Sequence, residues 1–368
     1  MTHRERFQRI YHFLPVDRIP IYYFGTWFET KSRWMVEGCS MIKDPNTYFG
    51  PQLPGMDPDW EDGMWNAQGL VNVNAIGDME PCILEDKGDT VVRRSAIGEI
   101  MLERKDGGTI PHTLSYGLEP THASWDRFKS FLDPTDGKRY PPHWRSKAES
   151  LNSTDKVTSF MGGSLYGWLR GWMGVENISY LMYDDPALLE EMVAYLSDYF
   201  MTLMEPVLKI TNFDFVYFFE DCCGSHGPLF SPEKYGEIFG EHYRRMLKFY
   251  KNADVPLALI DSDGYTEPLI PCWLNSGFDI IFPIEVGKWG ANPKDLRRKF
   301  GHGLCMLGGV DKAFLYGPEH FLRDHLTLLK ESVVEGGFIP IPDHRIPPQV
   351  SLEQMLRYID IFTEVMNG

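Results

Sequence analysis

Asp261 and Asp263 sit two residues apart in the stretch IDSDGYTEPLI, directly after the apolar run VPLAL. Carboxylates that close repel one another, and each costs on the order of several kcal/mol if it leaves water without a partner. A cation or a proton has to separate them. The same arrangement recurs along the chain: Glu220 and Asp221 follow FVYFF, Glu285 follows IIFPI, Asp311 follows LGGV, and Asp343 with His344 follows FIPIP. Such a set of carboxylates with one histidine has three physical uses. It can coordinate a divalent metal, move protons, or hydrogen-bond a polar or cationic substrate. His344, Asp263, Glu220 and Glu285 are the candidate catalytic groups, and Asp311 is a candidate substrate contact. At any single position, capping of the following helix explains an acidic residue equally well.

Aromatic residues concentrate near two of these places. The stretch YYFGTWF supplies Tyr22, Phe24 and Trp27, and GGSLYGWLRGWMG supplies Tyr166 and Trp172. They suit the wall of a flat apolar pocket, although ordinary core packing accounts for any one ring. Arg170, in the second stretch, is placed to neutralise a carboxylate or hold a substrate.

The elements that must position these residues are short β-branched or aromatic runs, each followed by a loop and a segment of helical period. They are IPIYYF at 19, VTSFM at 157, FDFVYFF at 213, PLALI at 256, DIIFPI at 279, LCMLGG at 304 and GFIPI at 337. Continuous apolar strands alternating with helices imply a parallel sheet covered on both faces. Two helices announce themselves by caps: DDPALLEEMVAYLSDYFMTLMEPVLKI and SPEKYGEIFGEHYRRMLKFYKN both open on Asp or Ser followed by Pro. The first run has a single Gly after it and no phosphate-binding turn, so a (β/α)8 TIM barrel is expected over an open doubly wound sheet. In a barrel the residues just past each strand line the mouth, which is where the carboxylates fall. Residues 80–118 alternate polar and apolar with Gly turns, which predicts an antiparallel β-hairpin insertion. No repeat or Gly/Ser linker divides the chain, so one domain over 1–368 is expected.

Composition restricts the partners. With 36 Lys and Arg against 52 Asp and Glu, the net charge is −16, which opposes binding to nucleic acid. No stretch is apolar enough for a membrane span, and a cytoplasmic location is expected. Six cysteines without a CxxC pair are expected as reduced thiols. A small-molecule substrate and a homodimer complete the expectations.

Five stretches, in order, resemble the uroporphyrinogen decarboxylase superfamily: RERFQRIYHFLPVDRIPI, EDCCGSHGPLFSPEKYGEIFGEHYRRM, SDGYTEPLI, MLGGVDKAFLYG and GGFIPIPDHRIPPQVSLEQMLRYIDIF. That superfamily, whose fold is a (β/α)8 barrel, includes the decarboxylase itself and the methyltransferases of corrinoid-dependent methyl metabolism. The decarboxylase carries an arginine segment close to RQAGR after its first strand to hold a tetrapyrrole's carboxylates. Here that place reads YFGTWFETKSRW, with no arginine before Arg33, so porphyrin synthesis is not expected. His344 matches the decarboxylase's late histidine. The methyltransferase branch binds zinc through H-x-C-G and a later PGCGIPP-like segment; this chain has Asp261-Ser262-Asp263-Gly264 and Pro342-Asp343-His344-Arg345-Ile346-Pro347-Pro348 instead. The resemblance therefore implies a harder ligand set, Asp261, Asp263 and His344, for zinc or another divalent ion.

Together these point to a corrinoid-dependent methyltransferase, the substrate-side component that demethylates a methoxylated aromatic compound. The methyl group would pass to a cobalamin-binding corrinoid protein, the partner that carries the cofactor. The alternatives are a decarboxylase of a small non-porphyrin acid, with uroporphyrinogen a lesser candidate, and a non-catalytic module binding a cation or a small aromatic.

Overall fold

The computed structural model describes residues 1–46, 50–58, 69–108, 110–287 and 290–368. Two helices, α1 (His3–Tyr11) and α2 (Phe28–Val36), open the chain. A four-stranded antiparallel sheet follows, made of β1 (Cys82–Asp86), β2 (Thr90–Arg94), β3 (Ile100–Arg104) and β4 (His112–Ser115) in sequence order. This is the expected hairpin insertion. Helices α3 (His122–Lys129) and α4 (Trp144–Leu151) lead from it to the main sheet.

Six parallel strands make that sheet: β5 (Ser159–Gly163), β6 (Phe215–Phe219), β7 (Leu257–Asp261), β8 (Ile280–Ile284), β9 (Cys305–Val310) and β10 (Phe338–Pro342). They lie side by side in sequence order. Every residue of β5, β7, β8, β9 and β10 is buried, as continuous apolar strands require when helices cover the sheet. The covering helices are α5 (Tyr166–Met173), α6 (Val175–Asp184), α7 (Pro186–Leu208), α8 (Glu241–Asn252), α9 (Ile270–Ser276), α10 (Pro293–Phe300), α11 (Glu319–Val334) and α12 (Leu352–Phe362). Both anticipated caps form: the Asp185 side chain accepts from the Leu188 amide at 3.0 Å, and Ser231 accepts from that of Lys234 at 3.2 Å. The second predicted helix is interrupted by a wider turn over Gly236–Gly240 before α8.

Parallel register aligns the strand ends that carry the candidate acids. Phe219 pairs with Asp261, and Asp261 with Phe282, so the loops after β6, β7 and β8 leave the sheet at one edge. Pro283 has no amide to give the ladder, and the β8–β9 register slips between Ile281 and Ile284. Gly308 permits the slip, because a Cβ there would come within 2.5 Å of the Ile284 nitrogen.

The first apolar run, IPIYYF, is not a strand. The Ile21 amide donates to the Asp57 carboxylate at 2.8 Å and the Ile21 carbonyl accepts from the Asp57 amide at 3.1 Å, so its hydrogen bonds go to a loop instead of a ladder. The segment nevertheless runs to a parallel bridge between Thr26 and Ile346, just past β10. There the Ile346 amide donates to the Gly25 carbonyl at 3.0 Å, and the Thr30 hydroxyl donates to the Ile346 carbonyl at 2.7 Å. Among the described residues no helix is long and apolar enough to cross a membrane. All six cysteines are free thiols.

Candidate active site

Asp261 ends β7, and the chain must then turn sharply. Gly264 makes that turn with φ +89°, where a Cβ would strike the Gly224 carbonyl oxygen at 2.7 Å. Its amide donates to Oε2 of Glu285 at 2.8 Å, which pins the residue following β8 beside the turn. Asp263 then lies with its Oδ2 3.3 Å from Nε2 of His344. Ligand atoms of Asp263, Glu285 and His344 all fall within 4.8 Å of one another.

Two rings orient His344: Trp27 stacks on it with centroids 5.8 Å apart, and Phe24 meets it edge-on at 5.9 Å. Arg345 lies over both of those rings, 5.3 Å from Phe24 and 5.6 Å from Trp27. Beneath, the Asp343 carboxylate accepts from the amides of Val286 and Gly287 at 3.0 and 3.2 Å and from that of Lys312 at 3.2 Å, tying together the loops after β8, β9 and β10. Lys312 places its ammonium 3.5 Å from Asp343 and 3.9 Å from Glu285.

The cluster suits a divalent cation on two grounds. Oδ1 of Asp263 is buried and has no hydrogen-bond partner, a cost of about 1–3 kcal/mol that a ligand would relieve. Two carboxylates and one imidazole form a hard oxygen and nitrogen donor set without thiolate.

Burial and then the charge of Asp263 push the Glu285 carboxyl up to about 7. A raised acid favours the folded state when protonated, so its contribution is full below about pH 4 and is lost as pH rises through 7. In chelator-treated protein, Glu285→Gln is therefore expected to match the parent near pH 4 and to be more stable at pH 8, by up to about 3 kcal/mol. Urea titrations at the two pH values read this, and a pH-independent difference would contradict it.

A second acidic centre lies inward. Asp261 is 3% exposed, and burial followed by the charge of Asp263 drives its carboxyl far above the usual carboxylate range, against the opposing hydrogen bond from the Tyr217 hydroxyl. It lines a cavity of about 290 Å3 with Phe24, Met161, Trp168, Tyr217 and Phe219, and with Asn72 and Asn74 on the far wall. Arg139 fixes that wall, donating to the carbonyls of Asn72 at 3.1 Å, Phe131 at 2.7 Å and Asp133 at 3.0 Å, and also to that of Asn74.

The other sequence candidates divide. Phe24 and Trp27 border the cluster, and Arg170 pairs with Asp221 at 2.6 Å. Asp261 stands outside the ligand cluster, and Glu285 takes its place there. Glu220 is fully buried and accepts from Ser164 at 2.9 Å, from the amides of Leu165 and Tyr166 at 2.8 and 3.1 Å, and from the Tyr243 hydroxyl. It anchors the start of α5. Tyr22 is buried near Asp57, Arg6 and Arg18. Tyr166 packs on Phe230 and Phe239, and Trp172 on Phe128 and Trp168. Asp311 accepts from the Ala313 amide at 2.8 Å, capping the turn that follows it. Sequence reasoning missed Tyr217, Trp168, Asn72 and Lys312. For Tyr217 there was a signal: it alternates with Phe215 and Phe219 in β6, an inward register that a polar tip breaks.

The family model of uroporphyrinogen decarboxylase (URO-D) matches residues 149–365. No curated protein sequence matches the chain. Among solved structures, a methyltransferase from Methanosarcina mazei is 14% identical over 99% of both chains with a TM-score of 0.60, a likeness of fold. A B12-independent methionine synthase from Shewanella sp. W3-18-1 in complex with selenomethionine is 14% identical, over 62% of this chain and 67% of that one, with a TM-score of 0.37.

Proposed function

Given that the chain belongs to the uroporphyrinogen decarboxylase family, we propose that it is a methyltransferase that removes the methyl group of a methoxylated aromatic compound and delivers it to a separate cobalamin-binding protein. In this reading residues 1–368 form one (β/α)8 barrel domain built around the six parallel strands. The observation that carries the function is the cluster of Asp263, Glu285 and His344, with its unpartnered carboxylate oxygen, set against the rings of Phe24 and Trp27.

Breaking a methyl ether leaves an alkoxide or phenoxide, a poor leaving group unless its oxygen is protonated or bound by a Lewis acid. Asp261, buried beside Tyr217 with its carboxyl pushed upward by that burial, is the proton donor on the cavity side. Phe24, Met161, Trp168 and Phe219 hold the aromatic ring and exclude water around that oxygen. Asp263, Glu285 and His344 would hold zinc or another divalent ion, which would supply Lewis acidity at the ether oxygen. The corrinoid of the partner protein would supply the nucleophile, and no residue of this chain needs to form a covalent intermediate.

Decarboxylation of a small non-porphyrin acid is the second reading, favoured by Asp261, since a buried carboxyl lining an apolar cavity can also protonate the carbanion left by carbon dioxide loss. The test is incubation with a panel of methoxyaromatics and a reduced corrinoid protein. Growth of methylcobalamin absorbance is expected, and its absence across a broad methyl-donor panel would overturn the proposal. Carbon dioxide release from a carboxylate panel would favour the second reading.

A further inference from the structure

The cavity of about 290 Å3 beside Asp261 has room for one substituted benzene ring, since about 150 Å3 already takes benzene. Its polar groups lie on two walls. On one, Oδ2 of Asp261 accepts from the Tyr217 hydroxyl, while Oδ1 makes no hydrogen bond and is not sealed off by packing, so it is the oxygen open to the cavity. On the other, the backbone of Asn72 and Asn74 is already occupied. The Asn72 amide donates to the Arg139 carbonyl at 2.7 Å, the carbonyls of both asparagines accept from the Arg139 guanidinium, and the Asn74 amide donates to Oδ1 of Asn72 at 3.1 Å. What is left to meet a ligand is Nδ2 of Asn72, which is half-buried, and the carboxamide of Asn74, which is exposed. Among the described residues no Lys, Arg or His lines this cavity. A carboxylate entering it would give up its water with no cation to meet it. A hydroxyl both donates and accepts, and two carboxamides supply the matching acceptor and donor.

We propose that this cavity selects an uncharged aromatic ring bearing a hydroxyl, which Asn72 and Asn74 hold on the wall away from Asp261, so that the substrate is a methoxylated phenol and not an aromatic acid. Asn72 is the specificity-determining residue. Arg139 fixes its backbone and the Asn74 amide engages its Oδ1, so its Nδ2 is the donor to the phenol oxygen. The Asn74 carboxamide accepts the phenol proton. The net charge of −16 acts in the same direction by repelling acids from the whole molecule. The methoxy group rests on the methyl-transfer reading above, while the preference for an uncharged hydroxylated ring stands without it.

The test is calorimetric binding to chelator-treated full-length protein at pH 7 without any corrinoid, so that neither a cluster metal nor turnover contributes. The probes are para-methoxyphenol, which is uncharged at this pH, anisole, which lacks the hydroxyl, and para-methoxybenzoate, which is ionised. The phenol is expected to bind, anisole to bind roughly tenfold more weakly, and the benzoate at least about a hundredfold more weakly. Asn72→Leu, which keeps the volume and removes the donor, should bring the phenol to within about threefold of anisole. Failure of all three probes to bind, or equal affinity for phenol and benzoate in the unaltered protein, would overturn the selection of an uncharged ring. Equal affinity for phenol and anisole would overturn the hydroxyl, and an undiminished phenol preference in a folded Asn72→Leu would overturn the role of Asn72. The expected binding order with no methyl transfer from any donor would leave the cavity's selectivity standing and remove the reaction assigned to it.

Discussion

Asp263→Asn, purified without chelator, is expected to carry less than about a tenth of the parent's bound divalent metal and to lose roughly a thousandfold in demethylation rate. Asparagine keeps the shape and the contact to His344 but removes the charge from a carboxylate whose second oxygen is buried without a partner. The informative control is Asp261→Asn. Asp261 lies outside the cluster, so this variant should keep its metal while losing activity through loss of the proton donor. Elemental analysis separates the two. Equal metal content in Asp263→Asn and the parent would show that the cluster is not the site, and loss of metal in Asp261→Asn would restore Asp261 as a ligand.

Arg139→Met is expected to destabilise the fold by about 3–5 kcal/mol, seen as a lower urea midpoint at unchanged slope. Arg139 is fully buried, and its guanidinium is satisfied by four backbone carbonyls and the face of Tyr199, 5.2 Å away. Methionine fills the volume and satisfies none of those carbonyls. Because Asn72 and Asn74 hang from this arginine, ligand affinity in the 290 Å3 cavity should fall as well, even where the variant remains folded. A change below about 1 kcal/mol would mean that the loop holds itself.

The sheet was legible in the sequence for a physical reason. Strands buried on both faces are apolar without interruption, and all six runs from VTSFM to GFIPI became strands. IPIYYF had the same composition, but its amide hydrogen bonds were claimed by Asp57, a choice made in three dimensions. Reading the residues just past each strand picked out Asp263, Glu285 and His344, which the structure brings together. It could not tell which acids face the mouth: Glu220 turned to the amides of α5, and Asp311 to its own turn. Tyr217 was hidden within an apolar run, and Arg139 in a loop without a pattern, since the backbone carbonyls that hold it have no sequence signature.

The joint between Thr30 and Ile346 spans 316 residues of chain. Trp27 and His344 stand on its two sides, so the histidine gains its stacking ring only when the beginning of the chain meets the end. Closing so long a loop carries an entropy cost that the packing of the strands between has to offset. During synthesis at the ribosome the carboxylates of β7 and β8 emerge well before the imidazole they face. A chain ending before β10 therefore presents Asp263 and Glu285 without the imidazole that faces them.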